Sequence, residues 1–117
     1  KLAIIAAALL AATPALAQNA TCIEPAPPKI ADGATAAQAE LAASIAQVRE
    51  FIAQSDVYQG CIAADLEAKK QASSATPFDP QIQQVALAKV AANQAAKDQA
   101  AAQINSQIAV FKQRQAR

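Results

Sequence analysis

Two long stretches of the chain carry apolar residues at the spacing of one helix face. In the first stretch the apolar positions advance in alternating steps of four and three residues, which follows the period of an α-helix. In the second stretch, neither glycine nor proline occurs from Gln81 to Arg117. The pattern predicts helices at about residues 35–72 and 80–114. The first stripe consists of Leu41, Ile45, Val48, Ile52, Ser55, Ile62 and Leu66, and the second of Leu87, Val90, Ala101, Ile104, Ile108 and Phe111.

Capping residues indicate where these helices begin. Thr35 is expected to cap the first helix, with Gln38 three residues later completing a weak capping box. Asp79 followed by Pro80 predicts the start of the second helix, because proline is favoured at the first helical position. Residues 73–79 then form a short loop. A short connection between two long helices predicts an antiparallel helical hairpin and an all-α fold.

The hairpin also predicts which residues of the two helices face each other. Leu66 would lie opposite Leu87 near the loop, and Val48 opposite Ile104 farther away. The large side chains of Phe51, Ile52 and Tyr58 would face the alanine-rich residues 91–102 in the middle, where Ser55 interrupts the apolar stripe. The same register brings Asp56 close to Lys97. We expect two solvated charges beside the seam, with an ion pair that fixes the register as the alternative.

Residues 18–34 differ from the helical stretches and are predicted to form an extended arm. This segment, which we call the arm, contains three prolines and ends in a turn at Asp32-Gly33. It also contains Cys22, which is expected to bond to Cys61 of the first helix in an oxidising compartment. The arm reaches Cys61 along a straight helix only if it is nearly fully extended, and a helix broken near Gly60 is the alternative.

The disulfide is expected to be structural. The loop from Cys22 to Cys61 contains 40 residues, and closing it contributes about 4 kcal/mol in the chain-entropy model. A metal-binding or redox-active pair is disfavoured, because the chain has no histidine and the two cysteines lack the CxxC spacing.

The start of the chain has the pattern of a cleavable signal peptide at residues 1–17. A positive charge precedes an apolar run at residues 2–12, which is shorter than the roughly 20 residues that span a bilayer. The small residues Ala15 and Ala17 then match the signal-peptidase pattern, so cleavage before Gln18 is expected. An uncleaved anchor or a buried helix is the alternative. The expected protein is periplasmic or secreted, without stable membrane insertion after signal removal.

Composition narrows both the fold and the partners. Without Lys1, nine of the ten basic residues remain against nine acidic ones, so no charge excess points to nucleic acid. From Gln18 onward there are 27 alanines but only 19 leucine, isoleucine, valine and phenylalanine residues. Alanine favours helices but buries little apolar area, so we expect a thin core.

The chemistry of the side chains argues against an enzyme. The absence of histidine excludes Ser-His and Cys-His nucleophiles and histidine-based zinc sites. Acidic residues are scattered singly along the helices, and neither glycine belongs to a phosphate-binding loop. We therefore predict no catalytic, cofactor-binding or metal-binding residues. We also expect a two-helix hairpin to offer little concavity for a small molecule, and Tyr58 to be buried under the arm.

Several short motifs follow one another along the chain after the signal pattern. They are Cys22-x-x-Pro25-x-Pro27-Pro28, Asp32-Gly33-Ala34-Thr35, Val48-x-x-Phe51, Tyr58-x-x-Cys61 and the stretch from Ile104-Asn105 to Phe111-Lys112. With its motifs in this order, the chain resembles a group of uncharacterised short secreted proteobacterial proteins. The resemblance implies a periplasmic two-helix protein and carries no activity.

The functional hypothesis is a structural or adaptor role through helix–helix interaction. The expected partner is a second copy of the chain or another envelope protein, because Val57, Ile82, Val85 and Val110 cannot all face the same partner helix. Ile23 and Ile30 of the arm are expected to cover part of this apolar surface. The alternatives are a holdase-type chaperone and a small ligand-binding or redox accessory protein that uses Tyr58 and Cys61.

Overall fold

Two long antiparallel helices dominate the computed structural model, which describes residues 22–73 and 76–117. Helix α1 extends over Gln38–Ala72 and helix α2 over Pro80–Gln115. None of the described residues lies in a strand. The predicted all-α helical hairpin is therefore confirmed. The predicted signal peptide, residues 1–17, and its cleavage site lie outside the described residues.

Helix α1 begins later than predicted because a turn follows the arm. The N–H groups of Thr35 and Ala36 donate to the carbonyl oxygen of Asp32 at 3.1 and 2.7 Å, which closes this turn. The prediction that Thr35 caps α1 is therefore wrong. Ala37 is the N-cap residue, and its N–H donates to Oε2 of Glu40 at 2.8 Å. The carboxylate of Glu40 also stabilises the positive end of the helix dipole.

The start of α2 agrees with the prediction. Asp79 is the N-cap residue, and its Oδ1 accepts a hydrogen bond from the N–H of Gln81 at 2.9 Å. Pro80 occupies the first helical position, where its missing N–H leaves no hydrogen bond unmade. This end of the helix is therefore defined by local sequence alone.

The arm is tied back to the middle of α1, as predicted. A disulfide joins Cys22 to Cys61, with a Cα–Cα distance of 5.7 Å. Helix α1 continues through Gly60, so the helix is not broken there. Farther along the arm, the N–H of Ala31 donates to Oγ of Ser44 at 2.9 Å. The arm therefore runs along α1 in the opposite direction, without helix or strand of its own between Cys22 and Asp32.

The far end of the arm also contacts α2. The N–H of Gly33 donates to Oε1 of Gln107 at 2.7 Å. Arg114 donates to the carbonyl oxygens of Ala34 and Ala36 at 3.0 and 2.6 Å. Gly33 is required here, because a Cβ atom on it would lie 2.0 Å from the carbonyl oxygen of Gln107. The arm therefore lies against both helices, antiparallel to α1 and parallel to α2.

The arm divides the hairpin into two halves. We call residues 38–61 and 93–115 the arm half, and residues 62–72 and 80–92 the loop half. The main core cluster lies in the arm half, and Ile30 of the arm packs against it, whereas Ile23 is 83% exposed. The expectation that Ile23 covers apolar surface is therefore wrong. The cluster comprises Leu41, Val48, Phe51, Ala100 and Ile104, with Ile30, Ile45, Ile52, Ala96, Ile108 and Phe111 packed against it.

The buried face of α1 is rotated relative to the predicted stripe. Ser44 and Phe51 are buried, whereas the stripe residues Ile45 and Ile52 are only partly buried. The arm explains the rotation, because α1 must face both α2 and the arm. The hydrogen bond from Ala31 to Ser44 satisfies a hydroxyl on the face turned toward the arm.

A polar layer, formed by Ser55, Gln59 and Asn93, crosses the hairpin near its middle. Nδ2 of Asn93 donates to Oγ of Ser55 at 3.1 Å, and Nε2 of Gln59 donates to Oδ1 of Asn93 at 2.8 Å. Beside this layer, Lys97 and Asp56 form an ion pair. The predicted register is therefore correct here, but the expectation of two solvated charges is wrong. A satisfied buried polar layer favours one register, because sliding the helices would leave these groups without partners.

Candidate functional site

An open cleft lies between the two helices on the loop side of the polar layer. Its volume is about 560 Å³, and it is open to solvent along one side. We call it the loop cleft. Its lining comprises Cys22 of the arm, Tyr58, Ile62, Asp65, Leu66 and Lys69 of α1, and Asp79, Gln81, Ile82, Val85, Ala86 and Lys89 of α2 with its N-cap.

The walls of the loop cleft combine apolar and polar side chains, and the apolar ones are more exposed on α2 than on α1. On the α1 wall, Ile62 is buried and Leu66 is partly buried. On the α2 wall, Ile82 is 37% exposed and Val85 is 56% exposed. The exposed apolar side chains of the groove therefore lie on its α2 wall, where such exposure can mark an interaction site. Among the described residues, no segment covers this wall of α2.

The rim of the loop cleft carries charges of both signs. Lys69 and Asp65 form an ion pair along α1, with 2.7 Å between Nζ and Oδ2. Asp79 and Lys89 lie on the α2 side. The rim therefore contains two acidic and two basic side chains and has no net charge. It favours a ligand of mixed charge over a strongly acidic or strongly basic one.

Tyr58 lies where the arm meets the loop cleft. It is 5% exposed, which confirms the predicted burial. Burial raises the pKa of Tyr58 above its ordinary value of 10.0, and the negative charge of Glu24 in the arm raises it further. The phenol therefore stays protonated near neutral pH. Cys61, one helical turn later, is bonded to Cys22, so neither side chain offers a nucleophile here.

The α2 wall differs from the one that the sequence predicted. Leu87, expected opposite Leu66, is 55% exposed and does not line the loop cleft. The apolar part of this wall is formed by Ile82, Val85 and Ala86 instead. The position of Asn93 could have indicated this face, because counting back one heptad from this buried residue gives Ala86, which does line the cleft. The polar character of Asn93 concealed its position in the seam.

Neither metal ligation nor a membrane span is indicated in residues 22–73 and 76–117. No group of three or more histidine, cysteine, aspartate or glutamate residues in these ranges could hold a metal ion. No helix in these ranges is both long and apolar enough to cross a membrane.

No protein-family model, curated protein or solved structure matches the chain. The loop cleft, with its apolar walls and its rim of mixed charge, is therefore the feature from which a function is inferred.

Proposed function

We propose that the protein is a non-enzymatic helical protein of the cell envelope with a structural or adaptor role, and that it binds another helix in the loop cleft. The observation that carries this proposal is the uncovered apolar groove between α1 and α2. A third helix packs its side-chain ridges into such a groove at an interaxial distance of about 8–10 Å. It would cover Val85 on one wall and Leu66 on the other.

The arm half provides the physical precedent for this binding mode. There, Ile30 of the arm packs against the core cluster, which contains buried side chains from both helices. In the loop half, the same two helices have no third element among the described residues. A bound helix would bury apolar side chains of the loop half, as the arm does in the arm half. Each Å² of apolar surface buried in this way stabilises the complex by about 25 cal/mol.

The proposed location rests on the start of the chain and on the disulfide. Residues 1–17 have the composition of a signal peptide. The Cys22–Cys61 bond fits an oxidising compartment such as the periplasm or the cell exterior. We expect the exported protein to begin at Gln18, as measured by its intact mass. A mass that retains Lys1 to Ala17 would contradict the cleavage and indicate an anchored protein.

A small ligand is the second candidate occupant, and the size of the loop cleft favours it. A volume of about 560 Å³ lies within the usual range of small-molecule sites, about 300–1,000 Å³. Such a ligand would contact Tyr58 and Ile62. An apolar fluorescent probe that binds the wild type and is lost in Ile62→Glu would support this candidate. The holdase and redox-accessory hypotheses stay predictions.

Photo-crosslinking in cells tests the proposed helix binding. A photoreactive amino acid at position 85 lies on the cleft wall, and the same amino acid at position 87 provides the control. Val85 and Leu87 are equally exposed, at 56% and 55%, but only Val85 lines the loop cleft. We expect a discrete protein adduct at position 85, with the attachment site mapping to a helical segment, and none at position 87. No adduct at position 85, or equal adducts at both positions, would contradict the proposal.

A further inference from the structure

We propose that the helix bound in the loop cleft belongs to a second copy of this chain, so that two loop halves form a four-helix bundle about a two-fold axis. The inference rests on the proposed function, because it names the partner for the same cleft. In such a dimer the same surface of each copy meets itself, so the surface must be complementary to itself in both shape and charge.

The shape of the loop cleft meets this requirement. Each copy presents a groove between Ile62 and Leu66 of α1 and the α2 wall, and the exposed side chains of Ile82 and Val85 form an apolar ridge along that wall. The ridge of one copy can pack into the groove of the other while its own groove receives the partner's ridge. Two helices from each copy then surround one apolar centre, which is the arrangement of a four-helix bundle.

The charges on the rim meet the requirement as well. Two acids, Asp65 and Asp79, and two lysines, Lys69 and Lys89, surround the apolar walls. A two-fold axis can bring the acidic side chains of one copy near the lysines of the other, because each copy carries both signs on its rim. Among the described residues, Lys89 has no ion-pair partner within its own chain. A strongly charged partner of either sign would meet like charges on half of this rim, which disfavours it.

The arm limits the assembly to two copies. Ile30 occupies the groove of the arm half and packs against the core cluster, so a second copy can bury only the loop half. Once two loop halves have paired, neither copy has a further cleft of this kind to offer. The expected dimer therefore has four helices at its centre, and two helices with one arm at each end.

Sedimentation of the oxidised protein at micromolar concentrations tests this inference directly. We expect a dimer for the wild type and for Leu87→Lys. For Val85→Lys we expect the dissociation constant to rise at least about tenfold, because the ammonium group would be buried in the apolar centre. Circular dichroism should give the same helix content for both variants, since both side chains are more than half exposed. A monomeric wild type, or equal dissociation of the two variants, would overturn the inference.

Charge reversal on the rim provides an independent measurement. Lys69→Asp with Lys89→Asp makes the rim acidic, and Asp65→Lys makes it more basic while leaving the Asp79 cap intact. We expect each variant to self-associate more weakly than the wild type, and an equimolar mixture of the two to form heterodimers. Mixing that restores no association would contradict a charge-complementary two-fold interface.

The crosslinking at position 85 separates failure of this inference from failure of the proposed function. An adduct with the mass of two chains supports the dimer. An adduct of another mass, together with a monomeric purified protein, overturns the dimer but keeps the helix-binding function. The absence of any adduct at position 85 contradicts both.

Discussion

The two halves of the hairpin are built from the same helices but differ in packing. In the arm half, Phe51 and Val48 are 3% exposed, and the arm adds Ile30 to the cluster around them. In the loop half, Ile62 is the buried apolar residue, while Val85 and Leu87 are more than half exposed. Two helices alone bury only a narrow stripe on each, and alanine makes that stripe thinner still. The difference shows that this hairpin needs a third element to form a closed core.

The largest effect on stability is expected from removing the Cys22–Cys61 disulfide, which holds the arm against the hairpin. Cys22→Ser with Cys61→Ser should lower the free energy of unfolding by about 4 kcal/mol, because the unfolded chain is no longer constrained by the loop between them. Denaturant unfolding measures this loss. Hydrogen exchange should show that the protection of backbone amides in the arm half falls toward the level found in the loop half. Unchanged protection in the arm half would mean that the arm does not stabilise it.

A pair of core truncations compares the two halves directly. Phe51→Ala should lower the free energy of unfolding by about 3 kcal/mol, since it leaves a cavity under the arm. Leu66→Ala should cost about 1 kcal/mol or less, because Leu66 is only partly buried in the open cleft and its truncation leaves little enclosed cavity. Chemical denaturation of both variants provides the measurement. Equal losses would indicate that the loop half is as well packed as the arm half.

The two glycines are expected to respond in opposite directions. Gly33→Ala should destabilise by about 2 kcal/mol, because the new methyl group meets the backbone of Gln107. Gly60→Ala should stabilise by up to about 1 kcal/mol, since Gly60 lies inside α1 with no atom close to an added Cβ. Thermal unfolding distinguishes these outcomes. A stable Gly33→Ala protein would show that the arm can shift without loss.

The smallest effect is a pH dependence at the boundary between the halves. The pKa of Tyr58 is raised in the folded protein, so this side chain loses its proton more readily in the unfolded chain. Its contribution to stability is complete below pH 10, and it is lost as the pH rises above 10 through the folded-state pKa. The free energy of unfolding, measured as the pH rises through this range, should fall more steeply for the wild type than for Tyr58→Phe. Parallel curves for the two proteins would contradict the burial of the phenol.

Features set by local sequence were predicted, whereas features set by the arm were missed. The cap at Asp79 and the register near Asp56 and Lys97 depend on a short loop and a rigid helical period, both of which are readable from the chain. The predicted cap at Thr35 was wrong because the turn at the end of the arm closes on Asp32 and delays the start of α1. The predicted wall at Leu87 was wrong because the buried face of α2 contains the polar Asn93, which apolar periodicity does not reveal. Packing of the arm cannot be read from apolar periodicity, because an extended proline-rich segment has no helical period of its own.

The contacts at the two ends of the arm join parts of the chain that differ greatly in their separation along the sequence. The carbonyl oxygen of Ala34 accepts from Arg114, which is 80 positions later in the chain, and Gly33 donates to Gln107 74 positions later. Cys22 and Cys61, by contrast, are separated by only 39 positions. A chain exported from its N-terminus, as proposed above, therefore brings both cysteines into the oxidising compartment before most of α2 has crossed the membrane. The other end of the arm can form its hydrogen bonds only after Gln107 and Arg114 have followed.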